Sequence, residues 1–204
     1  MTTTKAFIFD LDGVIIDSEN GWDKYEGSLP GHSLGQSIKS SFHSARKLNP
    51  SLTWKDYFRQ LNQWAQKIYQ QTPITTGADD LLAKLIDQHY RLGLVSGSTA
   101  QWIAWVQQRL KHQILLTISL HERPDLKPKP APDGYLAAIK QLEVKPGNTI
   151  ILEDSQAGID SAKSAGAFTI CLTQHHPKNY HPAGADLYVK NIPELLTYLD
   201  SVEV

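Results

Sequence analysis

The chain has 204 residues, 41% apolar and 20% charged, with twenty basic and twenty-one acidic side chains for a formal net charge of −1. That balance gives no electrostatic drive toward nucleic acid or an anionic membrane surface. A lone cysteine, Cys171, excludes an intrachain disulfide and fits a reducing compartment. Residues 1–5 lead into a short apolar run that Asp10 interrupts, which is neither a signal peptide nor a membrane span, so the expectation is a cytoplasmic globular protein.

In chain order, the first expected strand covers residues 6–9 and runs straight into two acids, Asp10 and Asp12, followed by Gly13. Alternation along a strand points acids two positions apart the same way. Like charges that close repel unless a cation neutralises them. Residues 19–76 then show no strand pattern. Residues 33–48 place Leu34, Ile38, Phe42, Ala45 and Leu48 at helical spacing behind a Ser33/Gln36 capping box. Residues 53–71 repeat the plan, with Thr53 and Asp56 at the start and a stripe of Trp54, Tyr57, Phe58, Leu61, Trp64 and Ile68. That stripe is expected to be the segment's own core, with a ligand wall as the alternative. Residues 19–31 hold Gly21, Gly27, Pro30 and Gly31, so any helix there is short.

Beyond residue 77 apolar strands alternate with helices. Residues 79–89 put Leu81, Leu82, Leu85 and Ile86 on one helical face, and the next strand is 92–95. A helix over 98–110 starts at a Ser98/Gln101 capping pair, a strand covers 114–118, and Pro132 occupies the first position of a helix carrying Leu136, Ile139 and Leu142. Strands at 149–152, 169–172 and 187–189 complete the series. This alternation predicts an α/β fold, a Rossmann-like parallel sheet flanked by helices on both faces. The core comprises residues 1–18 and 77–204, and residues 19–76 form a small all-helical insertion.

In open α/β sheets the ligand site lies outside the carboxyl ends of the strands. The polar residues there are Asp10 and Asp12 after the first run, Ser96, Gly97 and Ser98 after the second, and Glu153 and Asp154 after 149–152; Lys127 and Lys129 precede the Pro132 helix. Four acids in one place call for a hard cation, and an oxygen-rich donor set suits Mg²⁺. Ser96 and the N–H groups near Gly97 and Ser98 can hold phosphate oxygens at a helix N-terminus, and a carboxylate can be phosphorylated as a covalent nucleophile. The histidines at 175, 176 and 181 lack an acid or cysteine at ligand spacing and are read as a surface loop.

FDLDGVIIDSE, LVSGS, KPKPAPDGYLAA and ILEDSQAGIDSAKSAGA resemble the four motifs of the haloacid dehalogenase superfamily, in its branch of phosphatases and phosphomutases with a helical cap inserted after the first motif. The resemblance runs from Phe7 to about residue 185. It implies Asp10 as the nucleophile, Asp12 as general acid/base, Ser96 as a phosphoryl-binding group and Lys129 as its charge partner. Lys129 rather than Lys127 takes that role because it stands at the KPAPD position. Mg²⁺ would be held by Asp10, Asp154 and Glu153, with Asp12 contributing its backbone carbonyl. Family dehalogenases acting on haloacids lack the second acid and need no metal, so Asp12 points to phosphoryl chemistry. Trp22 stands where family members often carry a histidine, and His32 where a mutase would carry an arginine; both become candidate substrate contacts. The expectation is a Mg²⁺-dependent phosphatase for a small phosphorylated metabolite, a sugar phosphate included. A hexose-phosphate mutase and a non-catalytic phosphate-ligand sensor are the alternatives. A monomer is expected, with a dimer left open.

Overall fold

A computed structural model describes residues 4–23 and 38–201 of the chain. Six strands, β1 (Ala6–Phe9), β2 (Arg91–Ser96), β3 (Leu116–Ser119), β4 (Thr149–Glu153), β5 (Phe168–Leu172) and β6 (Leu187–Val189), pair in parallel in the order β3-β2-β1-β4-β5-β6. Strands covered on both faces read as continuous apolar runs, and the four residues of β1 are all fully buried.

Alternation along β1 feeds two layers. Phe7 and Phe9 pack with α4 (Ala78–Asp87), α5 (Ala100–Gln107) and α8 (Ile192–Ser201) through Leu81, Leu85, Trp102, Val106 and Leu195. Ala6 and Ile8 pack on the opposite face with α6 (Asp133–Gln141) and α7 (Gln156–Ser164) through Tyr135, Ala138, Ile139 and Ala162. The predicted α/β sheet with helices on both sides is the observed fold. Cys171 lies buried in β5, and burial pushes its thiol up to about 12, which leaves it an inert packing group. Among the described residues no helix is long and apolar enough to cross a membrane.

Local starts differ from the spacing-based expectation in two places. Helix α5 is capped by Thr99, whose hydroxyl accepts from the Trp102 N–H, not by Ser98; Ser98 sends its hydroxyl elsewhere. Pro132 precedes α6 as its N-cap instead of filling its first position, and on that helix Leu136 is exposed while Tyr135 is buried. The Ser33/Gln36 pair and Leu34 lie outside the described residues.

Between β1 and α4 the described residues form α1 (Ser18–Asp23), α2 (Ile38–Leu48) and α3 (Trp54–Gln71). Thr53 caps α3 by accepting from the Asp56 N–H and donating to the Asp56 carboxylate, as its spacing predicts. The stripe of α3 does not make a core of its own. Tyr57, Leu61, Ala65 and Ile68 join the same cluster as Phe7, Leu81 and Trp102. Two polar grips reinforce this docking: Trp102 Nε1 donates to Asn62 Oδ1 at 2.7 Å, and the Arg109 guanidinium donates to the carbonyls of Tyr69 and Thr72 at the end of α3.

The two links to this segment run side by side, with the Thr75 N–H donating to the Ile15 carbonyl at 2.9 Å. His175 braces both, its Nδ1 facing Asp17 at 3.3 Å and its Nε2 hydrogen-bonded with Thr75 Oγ1 at 3.1 Å. His175 and His176 are therefore half-buried anchors instead of the expected surface loop; His181 alone of the three is exposed.

Removing Arg109 strips the last turn of α3 of two charge-assisted donors. Arg109→Ala is expected to lower stability by about 1–3 kcal/mol, read as a reduced midpoint in urea unfolding.

Candidate active site

The order β3-β2-β1-β4-β5-β6 reverses direction between β1 and β4, the place where open α/β sheets bind ligands. Asp10 leaves β1 still in register, its N–H donating to the Leu152 carbonyl at 3.0 Å. The chain then coils tightly: the Leu11 carbonyl accepts from Val14, Ile15 and Ile16, and the Gly13 N–H donates to the Ile16 carbonyl. Gly13 has φ of 77°, and a Cβ there would stand 1.8 Å from Asp154 Oδ2. Only glycine meets both demands.

Asp154 follows β4. One carboxylate oxygen from each of Asp10, Glu153 and Asp154 lies within 4.8 Å of the others, and all three residues are buried. Lys129 Nζ enters this cluster, 2.7 Å from Asp10 Oδ1 and 2.5 Å from Glu153 Oε1. Lys127, the other lysine of the KPKP loop, is exposed.

The three acids do not share one environment. Glu153 is saturated: Oε1 accepts from Lys129 and the Tyr135 hydroxyl, and Oε2 from the N–H groups of Asp154 and Ser155 and the Ser155 hydroxyl. Burial works against its charge, but Lys129 and these donors hold its carboxyl below the usual range. Gly158 makes room for it, since a Cβ there would fall 1.9 Å from the Glu153 carboxylate. Asp10 is pushed the other way, to about 8, by burial first and by Glu153 and Asp12, against the pull of Lys129. Asp154 is raised as well, by burial and then by Glu153 and Asp10.

Among the described residues Lys129 is the one hydrogen-bond donor to the Asp10 side chain, and none reaches the Asp154 carboxylate. Three buried acids against one lysine leave a deficit of positive charge and open oxygen donors. That combination fits a hard divalent cation held chiefly by Asp10 and Asp154. Glu153, with both oxygens committed, is placed to orient Lys129.

Asp12 lies beside this cluster and makes a different set of contacts. Its Oδ1 accepts from Ser18 Oγ at 2.7 Å and from the Tyr69 hydroxyl at 2.6 Å; its Oδ2 accepts from Ser98 Oγ at 2.8 Å and Ser96 Oγ at 3.1 Å. A cavity of 110 Å³ opens over Asp10, Asp12 and Lys129, with Gly97 and Ser98 on its floor and Trp22, Tyr57 and Trp102 among its walls. Ser96 is fully buried behind that floor. The α3 stripe thus serves both as core and as a cavity wall. Trp22 lines the cavity while packing edge-on against Tyr69 and tilted against Trp102. His32 lies outside the described residues.

Three residues in these networks escaped sequence reasoning. Ser18 sits inside the first motif and offered a signal by adjacency. Tyr135 hid behind the expected Leu136 face. Tyr69 is 57 positions from Asp12, and no local pattern links the two.

The sheet and its site define a Rossmann-like α/β enzyme. Residues 23–172 match the family of haloacid dehalogenase-like hydrolases, and the chain belongs to that family. It is 28% identical over 206 residues to a validoxylamine A 7'-phosphate phosphatase of Streptomyces hygroscopicus subsp. limoneus, covering 94% of this chain and 95% of that one. It is 28% identical over 216 residues to a β-phosphoglucomutase of Bacillus subtilis (strain 168), covering 94% and 91%. A (DL)-glycerol-3-phosphatase 1 of Arabidopsis thaliana matches at 26% over 188 residues, 81% of this chain but 62% of that protein's length. Among solved structures, a predicted phosphoglycolate phosphatase from Haemophilus somnus 129PT superposes with a TM-score of 0.79 at 19% identity, covering 97% of this chain and 99% of that one; at that identity it speaks for the fold.

Between pH 3.8 and about 8 the unfolded chain has lost the Asp10 proton while the metal-free folded chain keeps it. Folding therefore takes up a proton, and stability falls as pH rises through that window. Melting in EDTA is expected to drop from pH 5.5 to pH 8, and Asp10→Asn is expected to flatten the decline. Gly158→Ala drives a methyl into the Glu153 carboxylate and is expected to lose about 1–3 kcal/mol, measured by urea unfolding.

Proposed function

We propose that the chain is a Mg²⁺-dependent phosphatase that hydrolyses a small phosphorylated metabolite, a sugar phosphate among the candidates, through an aspartyl-phosphate on Asp10. The observation that carries this reading is the convergence of Asp10 and Asp154 beside Lys129, with Asp12 two positions on and a cavity over them. The phosphatase and mutase names of the curated relatives point to the same chemistry. Residues 1–18 and 77–204 act as the catalytic core, and residues 19–76 act as the cap.

Asp10 and Asp154, with the backbone carbonyl of Asp12, would hold the metal. Bound there, Mg²⁺ supplies positive charge to phosphate oxygens that otherwise repel an anionic nucleophile. Lys129 adds a fixed charge at the same oxygens, its position set by Glu153. Ser96 and the backbone N–H groups around Gly97 and Ser98 orient the phosphoryl group. Asp10 attacks phosphorus as the bond to the leaving oxygen breaks, and protonated Asp12 gives that oxygen its proton. Water then attacks the aspartyl-phosphate while Asp12 takes its proton. The walls of Trp22, Tyr57 and Trp102 limit bulk water during the first step.

The B. subtilis relative named a β-phosphoglucomutase keeps a second reading in view, in which a sugar hydroxyl replaces water as the acceptor. A non-catalytic sensor is disfavoured because Asp10, Asp12 and Lys129 are all present. Phosphate release from a panel of phosphorylated metabolites, with and without Mg²⁺, tests the proposal. Wild type is expected to be active only with the metal, and Asp10→Asn to lose about 10³-fold or more in kcat. Full activity in Asp10→Asn would falsify the nucleophile assignment. Conversion of β-glucose 1-phosphate to glucose 6-phosphate with little free phosphate favours the mutase.

A further inference from the structure

We infer that Tyr69 is a positioning residue for Asp12: with Ser18 it pins Oδ1, so that Oδ2 is the oxygen presented to the leaving group. This rests on the phosphatase reading above and names a part of the machinery contributed by the helical insertion.

The geometry is specific. Tyr69 lies in the last turn of α3, is 1% exposed, and meets Asp12 Oδ1 at 2.6 Å. Its ring is packed against Trp22 and Trp102, with centroids 6.2 and 5.2 Å away. Its own carbonyl accepts from Arg109 at 2.7 Å. Backbone and ring are thus both restrained, which a short hydrogen bond needs if it is to orient its partner. Burial, with Asp12 adding to it, raises the phenol well above its ordinary value and keeps it a donor.

Proton counting separates the two oxygens of Asp12. A tyrosine or serine hydroxyl has one proton to give. Ser18 and Tyr69 give theirs to Oδ1. Ser98 Oγ stands 2.8 Å from Oδ2 and also 2.9 Å from the Tyr69 oxygen. Once Tyr69 has donated to Asp12, its oxygen is an acceptor for Ser98. Ser98 can therefore leave Oδ2 for Tyr69 without losing a hydrogen bond, and Ser96 can turn to a phosphoryl oxygen. Of the groups that release Oδ2, Ser98 lies on the cavity floor and Ser96 directly behind it, whereas both groups on Oδ1 stay. The proton on Oδ2 passes to the leaving oxygen as the P–O bond breaks.

The test compares leaving groups through kcat/KM, which reports the steps up to departure of the leaving group. Wild type, Tyr69→Phe and Ser18→Ala are assayed with Mg²⁺ on glycerol phosphate, whose alkoxide needs a proton, and on p-nitrophenyl phosphate, whose phenolate leaves without one. Tyr69→Phe is expected to lower kcat/KM on the alkyl ester by about 10–100-fold and on the aryl ester by less than about 3-fold, with Ser18→Ala moving the same ratio the same way. The ratio of the two substrates is independent of how much of a variant folds. Equal losses on both esters, or none on either, overturn the positioning role and leave the phosphatase reading standing. Wild-type protein that releases no phosphate from either ester or from any member of the metabolite panel overturns the phosphatase reading and this one with it.

Discussion

Buried negative charge is the constraint around which the molecule is arranged. Asp10, Glu153 and Asp154 are brought to one point by adjacent parallel strands, β1 and β4, and among the described residues Lys129 is the single cation that enters, from a loop. Water is excluded from most of this volume, so each charge needs a partner or a proton. The chain resolves the problem unequally. Glu153 is stabilised by five donors and remains charged, which makes it a fixed counterion for Lys129. Among the described residues Asp10 and Asp154 are left short of donors, and the same shortage that raises their affinity for protons suits them to a cation. The buried charge gathered here therefore stands at the expense of stability.

Around that cluster lies a shell of groups whose work is positional. Gly13 and Gly158 are spaces shaped to carboxylates, one beside Asp154 and one beside Glu153. The Nε2–H of His176 donates to the Asp154 carbonyl at 2.7 Å, while the neighbouring His175 spans the two links into the helical insertion. Two consecutive side chains on one loop thus connect the carboxyl end of β4 with the base of the helical segment between β1 and α4. Tyr135 reaches Glu153 from the opposite face of the sheet, so helices from both layers contribute to the electrostatics of a single site.

The insertion is tied to the core more extensively than a separate folding unit would be. Its longest helix shares a hydrophobic cluster with the sheet, and α5 grips it through Trp102 and Arg109. That anchoring gives the cavity its aromatic wall and carries the Tyr69 hydroxyl to Asp12. In this chain the helical segment between β1 and α4 and the sheet share side chains across their boundary.

Much of this was legible in the sequence because the signals are local. Apolar runs of three to five residues, separated by helical periodicity, specify strands and their alternation with helices, and acids or hydroxyls directly after those runs mark the carboxyl edge of the sheet. Asp10, Asp12, Ser96, Ser98, Glu153 and Asp154 were found that way, whereas Lys129 was separated from Lys127 only by its place in the KPAPD stretch of the family motif. Other contacts depended on distance in space with no trace in spacing. Whether Glu153 binds an ion or a lysine, whether Ser98 caps a helix or approaches Asp12, and whether Tyr69 packs or donates depends on which surfaces the folded chain brings together. Periodicity assigns a residue to a face of its own element; what stands opposite that face is decided by tertiary packing, because hydrogen bonds of a few ångströms between residues 57 or 119 positions apart exist only after the sheet and helices have assembled.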